Sequence, residues 1–320
     1  MKKIPLRFQP YYKSVVWGGD KICKYKGVAQ NEPNIGESWE ISAVPGRVSV
    51  VEEGEYKGES LTNLIDKFGE ELLGKKVIEK YGKNFPLLIK FIDASQNLSV
   101  QVHPDDKLAK ERHNSLGKTE MWYLIETEPG AKIYAGLNEE ITPEEYEKRV
   151  KKGNFFETIA AHDSNPGDVF YLPAGRVHAI GAGNLLAEIQ ENSDITYRIY
   201  DYDRKDADGN PRELHTTLAK DAIDYHVYDN YVSPAPSIDK DEETLVKCNH
   251  FTTTRIIVDG EKSLKSDGSS FLIVICIRGE VIVGGQDGEL KISQGDTVLI
   301  PASATEISLK GKGELLLAQV

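Results

Sequence analysis

The stretch GDVFYLPAGRVHAI at 167–180 is echoed without a gap by GDTVLIPASATEIS at 295–308. Gly–Asp opens both copies, five residues separate the glycine from a proline, and an alanine follows each proline. Glycine and proline punctuate local structure, and the β-branched or aromatic runs between them read as strands. Two copies of a strand–turn–strand unit imply a duplicated, barrel-like β fold, in which short strands bury one face against another sheet.

The remaining sequence agrees. Runs such as LLIKFIDA (87–94), LSVQVH (98–103), MWYLIETE (121–128), LLAEIQEN (185–192) and FLIVICIRGEVIVGG (271–285) outnumber helical patterns, as does VSVVEE (48–53) on a smaller scale. Helical period is kept over 60–82, where Leu61, Leu64, Ile65, Phe68, Leu72, Leu73 and Ile78 form a stripe. TPEEYEKRVKKG (142–153) has an acidic first turn and a basic last turn, and HTTLAKDAID (215–224) suits a third helix. Pro, Ser and charge replace apolar periodicity in VSPAPSIDKDEET (232–244), as in a linker. The expectation is a mainly β sandwich or jelly roll with a few inserted helices, divided into domains at 1–240 and 241–320.

The bulk properties exclude several classes. A net charge of −12 gives no field for nucleic acid, and no polybasic run suggests an anionic membrane. The longest clean apolar run, FLIVICI (271–277), falls far short of the ~20 residues a span needs. Cys23, Cys248 and Cys276 are too few and too dispersed for a disulfide framework or a thiolate metal site. With no apolar signal region in MKKIPLRFQPYYK, these features predict a cytoplasmic protein. A phosphate-bearing substrate would need a local cluster of Lys and Arg.

Strand alternation puts Gln101 and His103 on one face, opposite Val100 and Val102. That face is either solvated or a pair of ligands entering a barrel interior. Glu120 leads into a large apolar strand, where a carboxylate is exposed, paired or metal-bound. His178 follows Pro173 and Gly175 and is either a ligand or a hydrogen-bonded turn residue. Together they offer nitrogen and oxygen donors without thiolate, a set suited to zinc, with iron, manganese or cobalt also possible. His113, His162, His215, His226 and His250 lie in polar or irregular surroundings and read as ordinary residues.

At these residues the chain resembles the type I phosphomannose isomerases, in their short bacterial form built from cupin barrels. The resemblance runs through VVWGGDKI (15–22), GESWEIS (36–42), LSVQVHPDD (98–106), GKTEMWYLI (117–125) and the whole of 167–204. Gly167, Pro173, Gly175 and His178 meet the general cupin pattern G-x₅-P-x-G-x₂-H letter for letter. The long segment 104–119 between His103 and Glu120 is normal for these isomerases and unlike the compact cluster of oxygenase cupins.

The resemblance implies that His103, Glu120 and His178 bind one zinc ion, with Gln101 as a fourth ligand, and that Arg198 is the active-site arginine. It implies a sugar 6-phosphate substrate, with mannose 6-phosphate and fructose 6-phosphate interconverted through an enediol(ate). Lys118 is then a candidate for acid–base work or phosphate binding, Glu37 and Glu188 are further candidates in the substrate site, and Trp17 would form a wall. No glycine-rich phosphate loop is present, so a phosphate cradle must come from dispersed residues such as Lys118, Arg198 and Ser99. Residues 241–320 would be a degenerate cupin without metal ligands, since Ser303 and Glu306 stand where Gly175 and His178 stand in the first copy. A sugar-phosphate sensor on the same scaffold and a metal-dependent oxygenase are the competing readings, and the assembly is expected to be a monomer or homodimer.

Overall fold

The computed structural model describes residues 1–205, 209–233, 235–237 and 239–320, and among these the strands form three sheets. A six-stranded sheet runs in the order Tyr11–Gly19, Ile35–Ile41, Leu87–Ala94, Asn184–Glu191, Glu120–Thr127 and Val169–Leu172. A five-stranded sheet runs Tyr197–Tyr200, Val100–Val102, His178–Ile180, Lys132–Leu137 and Ile159–Asp163. These two sheets face each other across a shared core that includes Trp17, Ile92, Trp122 and Leu186 from the first and Ile133, Ala135 and Ile180 from the second. The mainly β expectation is met.

Period-2 alternation decides what each face receives. Met121, Tyr123 and Ile125, with Leu185, Ala187 and Ile189, turn away from the barrel interior into a second core shared with Ile273, Ile275 and Leu316. A strand covered on both faces reads as an unbroken apolar run. The interior positions of these strands are where charge interrupts the run: Lys90, Glu120 and Glu188 are all buried there.

The third sheet is C-terminal: Thr297–Ile300, Leu272–Gly285, Glu306–Gln319, Thr252–Lys265 and Glu242–Lys247, with Gly288–Ser293 paired to Leu272–Gly285. FLIVICI is apolar throughout because both of its faces are buried. Phe271, Ile273, Ile275 and Ile277 pack toward the six-stranded sheet, whereas Val274 and Cys276 fill a separate C-terminal core. Strand Leu6–Arg7 pairs with Thr297–Ile300, so the chain's first strand lies in the C-terminal sheet.

The sequence echo corresponds to one turn built twice. Gly167 and Gly295 both take positive φ, 91° and 85°. Asp168 Oδ2 accepts from the Asn165 N–H at 2.9 Å, and Asp296 Oδ2 accepts from the Ser293 N–H at 2.8 Å. The two prolines also match, their carbonyls accepting from Arg176 and Ala304 three residues on. Gly175 breaks the parallel with Ser303: its φ is +92°, and a Cβ there would lie 3.0 Å from the Ala222 carbonyl oxygen.

The helices differ from expectation in detail. The 60–82 stripe is three short helices, Leu61–Phe68, Glu70–Leu73 and Lys75–Tyr81, parted by Gly69 and Gly74 at positive φ. Their apolar residues still share one core, docked on the C-terminal sheet. Pro143–Lys152 begins at a Thr142 cap, whose side chain accepts from the Glu145 N–H, and ends at left-handed Gly153. With Thr216–Ala222 it covers the outer face of the five-stranded sheet. Helices Lys21–Lys26 and Asp106–His113 were not expected, because neither carries a clear apolar stripe. VSVVEE forms only isolated bridges at Val50 and Val51. Positions 234 and 238 of the expected linker lie outside the described residues, and strand Glu242–Lys247 follows it. No described helix is long and apolar enough to cross a membrane.

Candidate active site

Register aligns the first row of the site. On the interior face of the five-stranded sheet, Arg198 stands opposite Gln101, and Gln101 opposite His178. On the facing sheet, Glu188 stands between Lys90 and Trp122. Glu120 opens the strand that carries Trp122, and His103 lies just past Val100–Val102 on the face of Gln101.

His103, Glu120 and His178 are buried and their ligand atoms lie within 4.8 Å of one another. His178 Nε2 is 3.3 Å from Glu120 Oε1, and His103 Nε2 is 3.6 Å from Glu120 Oε2. Each ring gives its Nδ1–H to a backbone carbonyl, His103 to Ile195 and His178 to Arg176, both at 2.8 Å. Such bonds fix the tautomer and the ring plane. Burial, with the Lys118 ammonium nearby, drives both imidazoles below their ordinary pKa, His178 to about 3. Both are therefore neutral, with Nε2 turned inward, that of His103 toward Lys118 Nζ and that of His178 toward the Gln101 amide.

Those nitrogens also face a carboxylate. Glu120 Oε1 is buried and has no hydrogen-bond partner among the described residues, while Oε2 accepts from Lys118. Two acceptors 3.3 Å apart in a buried site repel unless a cation lies between them. Burial also raises the Glu120 pKa, against the pull of Lys118. Two neutral imidazole nitrogens and one carboxylate oxygen form a donor set that fits a divalent cation. The Gln101 amide nitrogen, 3.2 Å from His178 Nε2, adjoins the set.

Lys118 precedes its strand yet points along the face of Glu120, with Nζ 3.1 Å from His103 Nε2 and 4.0 Å from Glu188 Oε1. Glu188 also accepts from the Trp122 indole at 2.9 Å and pairs with Lys90 at 3.2 Å. Burial alone would raise Glu188; Lys118 and Lys90 outweigh it and hold the carboxyl well below the usual range. Lys90 continues to Glu37 at 3.6 Å, and Glu37 to Lys13 at 2.9 Å. Acid and base thus alternate along one wall, and each buried charge has an opposite neighbour.

A cavity of about 340 Å³ opens above this wall. Its lining includes Trp17, Glu37, Ser99, Gln101, Lys118, Glu188 and Arg198, so seven of the ten residues singled out in the sequence face it. The other three, His103, Glu120 and His178, are outside the lining but touch two residues of it, Gln101 and Lys118. Five cations (Lys13, Lys90, Lys118, Arg198, Arg212) oppose three acids (Glu37, Glu188, Asp194) in the lining, a local reversal of the chain's negative charge. Arg198 gives an Nη1 bond to the Glu213 carbonyl, and its buried Nε has no partner among the described residues. Burial and neighbouring Arg212 lower its pKa. Ser99 and Thr196 add hydroxyls to the lining.

Sequence reasoning missed Lys13, Lys90 and Arg212. Lys90 had a signal, a lone charge inside LLIKFIDA. Arg212 had none: it sits in an irregular segment, oriented by a bidentate pair with Asp201 at 2.6 and 2.7 Å.

The model of the family "Phosphomannose isomerase type I, catalytic domain" matches residues 6–139, and that of "Mannose-6-phosphate isomerase, cupin domain" matches 241–320. The chain is 37% identical to mannose-6-phosphate isomerase ManA of Bacillus subtilis, with 99% of each chain covered. It is 35% identical to the mannose-6-phosphate isomerase of Streptococcus mutans, covering 98% of this chain and 97% of the other. A crystal structure of the mannose 6-phosphate isomerase from Bacillus subtilis superposes with a TM-score of 0.89 at 33% identity over 99% of both chains. A paired-sheet barrel with a His–Glu–His set under its cavity, and likeness to these enzymes along the full length, lead to one conclusion: the chain belongs to the type I phosphomannose isomerases.

Proposed function

We propose that the chain interconverts mannose 6-phosphate and fructose 6-phosphate, with one zinc ion held by Gln101, His103, Glu120 and His178. The observation that carries this reading is the convergence of two neutral imidazole nitrogens on the buried Glu120 carboxylate, whose Oε1 has no hydrogen-bond partner among the described residues, beneath a cation-rich cavity. A divalent ion there supplies Lewis acidity toward substrate oxygens, which eases charge build-up on them.

The protein's own groups handle the rest. Aldose–ketose exchange removes a proton from C2, returns one to C1 and moves a hydroxyl proton between O2 and O1 through an enediolate. Lys118 is assigned the proton transfer, since it is the group on the cavity floor that both donates and, once neutral, accepts. Glu188 is already committed to Trp122 and Lys90, so its role is to hold Lys118. Arg198 brings an N–H without a partner among the described residues to the opposite wall, where it steadies negative oxygen. Lys13 and Arg212 are more exposed than Lys90 and Lys118, which places them at the rim, and they are assigned the phosphate together with Ser99 and Thr196. Trp17 forms an apolar wall for the sugar. Residues 241–320 serve as support, and the free cysteines favour a reducing, cytoplasmic setting.

The test is a coupled assay on zinc-loaded protein. Mannose 6-phosphate should yield fructose 6-phosphate, and unphosphorylated mannose should react at least about a hundredfold less efficiently. Absence of conversion by fully loaded protein would overturn the proposal. Arg212→Ala should raise KM for the sugar phosphate by roughly 10- to 100-fold with kcat little changed, as expected for losing a charge-assisted bond of about 1.5–3 kcal/mol. An unaltered KM would remove Arg212 from the phosphate site.

A further inference from the structure

Three successive N–H groups hold the segment that carries Lys118 and Glu120. The Gly117 N–H donates to Asp106 Oδ1 at 2.9 Å, the Lys118 N–H to the Pro104 carbonyl at 3.1 Å, and the Thr119 N–H to Glu191 Oε2 at 2.7 Å. Thr119 is bound twice more. Its carbonyl accepts from the Glu191 N–H at 3.1 Å, and its Oγ1 accepts at 3.3 Å from the Ala174 N–H, in the turn leading to His178. Gly175 of that turn donates to the His103 carbonyl at 2.9 Å. One short segment therefore ties together the stretches that carry all three metal-donor side chains.

Two of its anchors are carboxylates, Asp106 and Glu191, and one imidazole, that of His250, lies against both. His250 Nδ1 is 2.9 Å from Glu191 Oε1 and 4.0 Å from Asp106 Oδ2. Glu191 is buried, and among the described residues no donor other than His250 reaches this oxygen. The Glu191 carboxylate raises the His250 pKa, which favours a charged ring beside it. His250 comes from the turn between Glu242–Lys247 and Thr252–Lys265, in the C-terminal sheet region that lacks the donor set.

We infer that His250 is a positioning residue, through which the C-terminal region fixes Asp106 and Glu191 and thereby the placement of Lys118 and Glu120. The inference rests on the roles proposed for those two residues. Outer groups that orient metal ligands typically change affinity or activity by 10- to 100-fold when lost. Without His250 the two anchoring carboxylates face each other uncompensated, and the backbone they hold loosens.

The test compares His250→Ala with wild type by steady-state kinetics, zinc competition against a chelator, and thermal unfolding. His250→Ala should lower kcat about tenfold or more, leave KM within about twofold, and weaken zinc binding about tenfold. Glu191→Gln should act on the same quantities, and the double variant should be no worse than the more affected single one. A variant that melts earlier but keeps wild-type kcat and zinc affinity at the assay temperature would overturn the inference, leaving His250 a structural ion-pair residue. If His250→Ala does not fold, His250→Gln keeps a donor toward Glu191 without the charge, and the same outcomes apply to it. A wild-type protein that binds zinc without isomerase activity would sink the proposed reaction instead, and the zinc competition would still decide this inference.

Discussion

Glu120→Gln should leave the purified protein without stoichiometric zinc and lower kcat on the order of 10³-fold. The substitution preserves shape while removing the negative charge that faces His103 and His178. An amide also turns an N–H₂ group toward donors that need a cation, so one orientation opposes binding and the other binds weakly. A metal's stabilisation of transition-state charge is worth several kcal/mol, and each ~1.4 kcal/mol is a factor of ten. Lys118 keeps Glu188 at 4.0 Å, so its ammonium is not stranded and the fold should persist. Elemental analysis beside kcat on one preparation checks this. Full zinc content with undiminished turnover would take Glu120 out of the donor set.

Lys118→Met should be nearly as damaging for a different reason. It should retain about one zinc per chain and lose about 10²–10⁴-fold in kcat, the usual range for removing a positioned acid–base group. Methionine fills a comparable volume, and Glu188 keeps its Lys90 and Trp122 partners. KM should change little, because the rim cations Lys13 and Arg212 remain. The pair of variants is diagnostic: Glu120→Gln is inactive without metal, Lys118→Met inactive with it. A Lys118→Met protein that is inactive and metal-free would make Lys118 a structural partner of Glu120.

The parts of this site that were legible in the sequence are those fixed by local rules. Strand alternation put Gln101 beside His103, while the Gly–Asp–Pro turn before His178 and the strand head at Glu120 each left a plain structural reading open until the family resemblance joined them. The echo at 295–308 identified the shared turn, and the two copies do form it with the same Asp-to-backbone bond. What stayed hidden depends on backbone detail or distant contact. The 60–82 stripe kept its side-chain period across Gly69 and Gly74, which break the helix without disturbing the apolar face. Helix Asp106–His113 had a cap, with Asp105 accepting from the Leu108 N–H, but almost no apolar residues to reveal it. Arg212 reaches the cavity from an irregular segment. His250 looked ordinary because its partners, Asp106 and Glu191, meet it only in the folded chain.

The most direct test is to strip the wild-type protein with a chelator and titrate zinc back while following isomerase activity and bound metal together. Negligible turnover in the stripped protein, rising in proportion to zinc and levelling at one ion per chain, is the predicted result. Full mannose 6-phosphate isomerase activity in protein shown to be metal-free would contradict it.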